Sequence, residues 1–274
     1  MNIEIRKAIL LFVVLFVTWQ VLYPLGLDTL VAYAIVLVVV AGFLALDKQS
    51  LAKVGLRRLS SWKGYVGFGC VLAAIFVLYL FVLGSVLYSN VTPSLSRPEI
   101  YSVGAGVLSV PYVLVLALTI GLVEETSFRG YILRNLRGSS SERKAVLYSA
   151  VLFGLYHISF FYIYTTALPP SQSFTYWSSF ILYTFVGGVF LGYFYLNTRQ
   201  TIIGTLAYHT SSIFIQSFVP YSLAFSFTEG HLLSTVPVIL FIPLLFLLKR
   251  TQWLGKSHVV EGNQGIGSGM KETK

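Results

Sequence analysis

Charge is the scarcest commodity in this chain: Asp, Glu, Lys and Arg make up 11% of its 274 residues. Soluble domains carry about a quarter. Cysteine occurs once, as Cys70 inside an apolar run, so no disulfide can form within the chain and a secreted disulfide scaffold is excluded. No small-residue cleavage pattern follows the basic, apolar N-terminus, which reads as a retained first span rather than a removed signal peptide. No internal repeat is visible, and no HExxH zinc-protease motif occurs.

What fills the chain is apolar sequence, 56% of all residues. It comes in blocks long enough to cross a bilayer, for which about 20 residues are needed. Eight blocks fall near 8–26, 29–46, 65–89, 105–128, 145–163, 176–197, 201–219 and 231–248. Backbone in lipid must satisfy its own hydrogen bonds, so blocks of this length imply helices and not a barrel. The expected fold is all-α, a polytopic bundle of about eight transmembrane helices. One transmembrane domain is expected over 1–254, followed by a disordered cytoplasmic tail over 255–274, rich in Gly and polar residues.

The net charge of +9 does not point to nucleic acid, because the cations sit in the short segments between apolar blocks. Arg6 and Lys7 precede the first block. Lys48, Lys53, Arg57, Arg58 and Lys63 follow the second, Arg134, Arg137, Arg143 and Lys144 the fourth, Arg199 the sixth, and Lys249, Arg250 and Lys256 the eighth. The opposite loops hold only Arg97. Both termini are thereby expected in the cytoplasm of a multi-pass cell-membrane protein. Residues 48–63, with Leu51, Val54, Leu56, Leu59 and Trp62, fit either an amphipathic surface helix or a solvated loop. Gly187, Gly188 and Gly192 are expected to permit close helix contact.

Ionisable groups inside spans are costly and mark function by default. The fourth block ends with Glu124, Glu125 and Arg129, the fifth contains His157, and the seventh contains His209; His231 and His258 read as loop and tail residues. With the cytoplasmic boundary near 131, 146 and 200, Glu124, His157 and His209 all lie roughly 10–16 Å deep at about 1.5 Å per residue. Three separate helices thus bring ionisable groups to one level. Glu125 and Arg129, four apart, can pair on one face and take a supporting role. Glu124, turned by about 100° from its neighbour, is the carboxylate left for chemistry. Phe128, Phe153 and the tyrosines read as packing and interface anchors.

Glu124-Glu125-Thr-Ser-Phe-Arg129 resembles the EExxxR motif of the CAAX-protease and bacteriocin-processing family, which includes the Rce1-type prenyl-protein endopeptidases. Phe153-Gly-Leu-Tyr-His157 resembles its FxxxH motif, and His209 stands where HxxxN would begin. The likeness covers about 105–219. It implies an intramembrane endopeptidase without cofactor, acting in the bilayer on a peptide or prenylated-protein substrate. In such an enzyme Glu124 activates a water as general base, His157 positions it, and His209 stabilises the oxyanion. Ile213 replaces the family Asn to which oxyanion stabilisation is ascribed; Ser212 and Gln216, on nearly the same face as His209, are the available substitutes, with Ser211 a third of less favourable geometry. Two His and one Glu also match a zinc first shell, although the family is regarded as metal-independent. Other readings of the residues are a non-proteolytic relative acting as a membrane immunity or scaffold protein, and a proton-coupled transporter.

Overall fold

The computed structural model describes residues 2–57, 62–87, 110–160, 170–217 and 227–250. The expected 255–274 tail, Arg97 and His258 lie outside them. All regular structure among the described residues is helical. Helix α1 (Ile3–Leu22) begins where the Asn2 side chain accepts from the Glu4 amide, and a short 3-10 turn through Pro24 closes on Gly26, which takes a left-handed φ of +60°. Asp28 caps α2 (Thr29–Leu46) by accepting from the Leu30 amide. Helix α3 spans Trp62–Leu87. Helix α4 (Val110–Glu124) runs without a break into a π-helical segment, Glu125–Leu133, and then a single turn α5 (Arg134–Arg137). Helix α6 (Glu142–Tyr156) ends in a 3-10 turn, His157–Phe160. Helices α7 (Pro170–Asn197), α8 (Ile203–Gln216) and α9 (Phe227–Arg250) complete the order.

Each of the eight expected segments holds a helix among its described residues, and these helices do not all have the same reach. Five stretches are long and apolar enough to cross a membrane: Ile3–Leu25, Thr29–Leu46, Trp62–Val82, Val110–Arg137 and Trp177–Asn197. Helices α6 and α8 have only 15 and 14 residues, about 22 Å of rise against a hydrocarbon core of about 30 Å. The apolar part of α9 is Ser234–Leu247. His231, expected in a loop, belongs to α9.

The bundle is dressed for lipid. Val13, Val17 and Val21 of α1 are exposed on one face, whereas Leu11, Leu15, Trp19 and Leu22 are buried on the other. Polar side chains are buried instead: Glu124, Glu125, Thr126, Ser127 and Arg129 all lie inside. Helix α4 stands between α2 on one side and α8 on the other; α3 packs on α8, and α7 packs on both α6 and α9. Of the three glycines expected at helix contacts, Gly188 and Gly192 meet Ala150 and Val146 of α6, while Gly187 faces open space.

Residues 48–57 form turns and not an amphipathic helix; residues 58–61 are outside the description. The turn is held by tertiary bonds that a surface helix would not make. The Ile202 amide and the Thr201 hydroxyl both donate to the carbonyl of Gly55, whose φ is +90°. Val54 is fully buried, and its carbonyl lies so close to Gly130 that a methyl group there would collide with it. Basic segments distant in sequence meet at this end. Lys7 pairs with Asp47 at 3.0 Å, Arg134 donates to the carbonyl of Lys53, and Arg57 donates to the carbonyl of Arg199 at 2.6 Å.

Candidate active site

The π-helical segment carries the first motif. Its i→i+5 hydrogen bonding makes a wider turn than an α-helix, and such segments are rare and concentrated at functional sites. The hydroxyl of Ser149, on α6, donates at 3.2 Å to the carbonyl of Phe128 within it, so a main-chain acceptor in the irregular stretch has a partner. More residues per turn also means a smaller angle between consecutive side chains. Glu124 and Glu125, which α-helical geometry would turn apart, both reach the same imidazole.

That imidazole is His209. Its Nδ1 lies 2.9 Å from Glu125 Oε1 and its Nε2 lies 3.5 Å from Glu124 Oε2. Glu125 Oε1 is also 3.2 Å from Arg129 Nη1, with both side chains buried. The expected Glu125–Arg129 pair is present, but Glu125 has a second duty in fixing the orientation of His209. The Arg129 guanidinium rests over the Phe153 ring, 4.2 Å from its centroid, a cation–π contact made inside the bundle.

His157 begins the 3-10 turn that ends α6. Its Nδ1 is 2.7 Å from the carbonyl of Phe153, one turn back. A carbonyl only accepts, so Nδ1 carries a proton, and in the neutral ring Nε2 then presents a lone pair. The Phe153 ring is edge-on to His157 at 4.7 Å and to His209 at 6.5 Å between centroids. The first residue of the FxxxH motif is therefore a divider between the two histidines and a platform for Arg129. It was expected only to pack, because an apolar ring in an apolar helix carries no signal of its neighbours.

Ser212 does not present a spare donor. Its hydroxyl donates at 2.9 Å to the carbonyl of His209 on its own helix. The Gln216 side chain hydrogen-bonds Tyr183 of α7. Ile213 packs against the apolar cluster built by α1, α2, α4 and α6. Among the described residues, no three His, Cys, Asp or Glu side chains are grouped to hold a metal ion.

Residues 106–215, which contain Glu124, Glu125, Arg129, Phe153, His157, His209 and Ser212, match the family model described as "Type II CAAX prenyl endopeptidase Rce1-like". This segment is Rce1-like. No curated protein matches the chain. The match makes that segment similar to CAAX-type endopeptidases, and five helices are long and apolar enough to cross a membrane. The Rce1-like segment runs from the start of α4 to the end of α8, leaving α1, α2, α3 and α9 outside the match.

Two residues from beyond that segment, or unmarked within it, stand at the site. Tyr33 of α2 donates to Glu124 Oε1 at 3.3 Å. Tyr156, next to His157, accepts from the indole N–H of Trp19 on α1. Both tyrosines are buried. Tyr33 lies four residues inside its helix, where a tyrosine ordinarily reads as an interfacial anchor.

Proposed function

We propose that this chain cleaves a peptide bond near the C-terminus of a prenylated protein, using a water activated by Glu124 and no metal ion. The observation that carries this reading is the placement of His209 between two carboxylates, one buried with Arg129 and the other turned toward the imidazole Nε2. In the proposed reaction Glu124 takes a proton from the water. His157 Nε2 accepts the second water hydrogen and aims the oxygen. As hydroxide adds to the carbonyl carbon, His209, oriented by Glu125, donates Nε2–H to the developing oxyanion. Glu124 then returns its proton to the amide nitrogen as the C–N bond breaks. The end of the bundle where the basic segments meet is assigned to the cytoplasm on the positive-inside rule. Residues 1–254 act as one domain in the cell membrane.

Purified protein in lipid nanodiscs, offered a farnesylated CAAX peptide, tests the reading by product mass. Cleavage retained after treatment with 1,10-phenanthroline, and absent from Glu124→Gln, is the expected result. Inhibition reversed by zinc points to metal chemistry instead. A second reading, a non-proteolytic relative serving as membrane immunity or scaffold protein, is favoured by Ile213, together with the engagement of Ser212 and Gln216 elsewhere. Uncleaved peptide with wild-type protein selects it.

A further inference from the structure

Helices α1 and α2 lie outside the Rce1-like segment, yet they touch its chemistry. The Tyr33 hydroxyl meets Glu124 Oε1 at 3.3 Å, while Glu124 Oε2 faces His209 Nε2 at 3.5 Å. The two carboxylate oxygens are thus given different partners from different helices. Tyr33 is itself braced. Its ring stands edge-on to Trp19, with centroids 4.8 Å apart and planes at 70°. The Trp19 indole donates to the Tyr156 hydroxyl, and the Tyr156 ring is edge-on to His157 at 5.3 Å. Trp19, Tyr33 and Tyr156 are all at most 5% exposed, so the chain of contacts runs through packed interior.

We propose that Tyr33 is a positioning residue for Glu124: its hydroxyl fixes the carboxylate rotation that leaves Oε2 toward His209 and the reacting water. A carboxylate on a flexible two-carbon stem would otherwise sample several rotations, and small errors in placement are expensive in turnover. The N-terminal hairpin is on this account part of the catalytic apparatus, contributed from outside the matched family segment. The inference deepens the protease reading and rests on it for its consequence in turnover, while the contact itself can be tested without any turnover.

Tyr33→Phe removes one oxygen and keeps the ring that packs on Trp19. Two measurements on the full-length protein in nanodiscs separate the possibilities: kinetics on the farnesylated peptide, and the rate at which dicyclohexylcarbodiimide modifies Glu124, followed by mass spectrometry. With Tyr33→Phe, kcat falls about ten- to a hundredfold at a KM within about twofold of wild type, and modification of Glu124 quickens. A residue that merely packs changes neither. If wild type cleaves and Tyr33→Phe matches it in kcat, the proposal is overturned. An equal fall in kcat and rise in KM, accompanied by a lowered melting temperature, overturns it as well, because the hydroxyl is then a folding contact. If no variant cleaves and Glu124 in Tyr33→Phe is modified faster than in wild type, the protease reading fails and the hold of Tyr33 on Glu124 stands. Unchanged modification without cleavage overturns both. Should Tyr33→Phe be recovered poorly, Trp19→Phe withdraws the brace while leaving the hydroxyl in place; an unchanged kcat in that variant counts against the proposal.

Discussion

The α1–α2 hairpin and the rod made of α4, the π-helical segment and α5 both cross the bundle, and they hold charge in opposite places. In the spans of α1 and α2 only 28% of the most apolar window is buried, against 56% in Val110–Arg137. The hairpin turns valines to the outside and keeps its ionisable groups at its ends, where Lys7 meets Asp47 and Asp28 caps a helix. The rod carries Glu124, Glu125 and Arg129 in its buried middle. Charge at a span's end orients a chain cheaply; charge in its middle demands partners and is kept for function.

Replacing the central carboxylate gives the largest effect. Glu124→Gln preserves size and most hydrogen bonding, so the melting temperature stays near wild type while kcat on a prenylated peptide falls by at least about a hundredfold, the lower range for loss of a general base. The two ion pairs sharpen the contrast. Arg129→Ala takes the guanidinium from buried Glu125, leaving it His209 alone of its two charged neighbours, and is expected to cost about 3–5 kcal/mol, read by denaturant or thermal unfolding in detergent. Lys7→Ala breaks a partly exposed pair and leaves unfolding close to wild type. Glu125→Gln should reduce kcat as well as stability, since Glu125 fixes His209; this adds a second task to the supporting, largely structural role that i,i+4 pairing suggests for it.

Smaller effects follow at the seams. Gly130→Ala pushes a methyl into the carbonyl of Val54 and should destabilise by about 1–3 kcal/mol. Gly187→Ala, with nothing near its added methyl, should be silent in the same assay. Ile213→Asn is expected to leave kcat unchanged or raise it, by restoring a polar group one turn beyond His209. Ser212→Ala should change kcat by less than about twofold, because its hydroxyl serves its own helix.

Much of this was legible in the sequence because membranes make polar residues conspicuous. The helical segments followed from apolar length, and Glu124 and His209, now 3.5 Å apart, stood out as ionisable groups at one depth. What stayed hidden has a common cause. Glu125 joins His209 because the backbone leaves α-helical geometry after Glu124, and nothing in Glu-Thr-Ser-Phe-Arg announces a π-helix. Tyr33, Trp19 and Phe153 carry no charge, so their approach to the site depends on tertiary packing that a single span does not encode. Residues 48–57 have the apolar spacing of a surface helix, yet Gly55 needs a left-handed φ and bonds to Thr201 and Ile202.

Glu124, held beside His209, is proposed to drive peptide hydrolysis in the bilayer. The direct measurement is a single-turnover cleavage assay of a farnesylated CAAX peptide by purified protein in nanodiscs, comparing wild type with Glu124→Gln at matched folded concentration. A released C-terminal tripeptide is expected with wild type and none with Glu124→Gln. Equal release from both proteins, or none from a wild type shown to be folded, would contradict it.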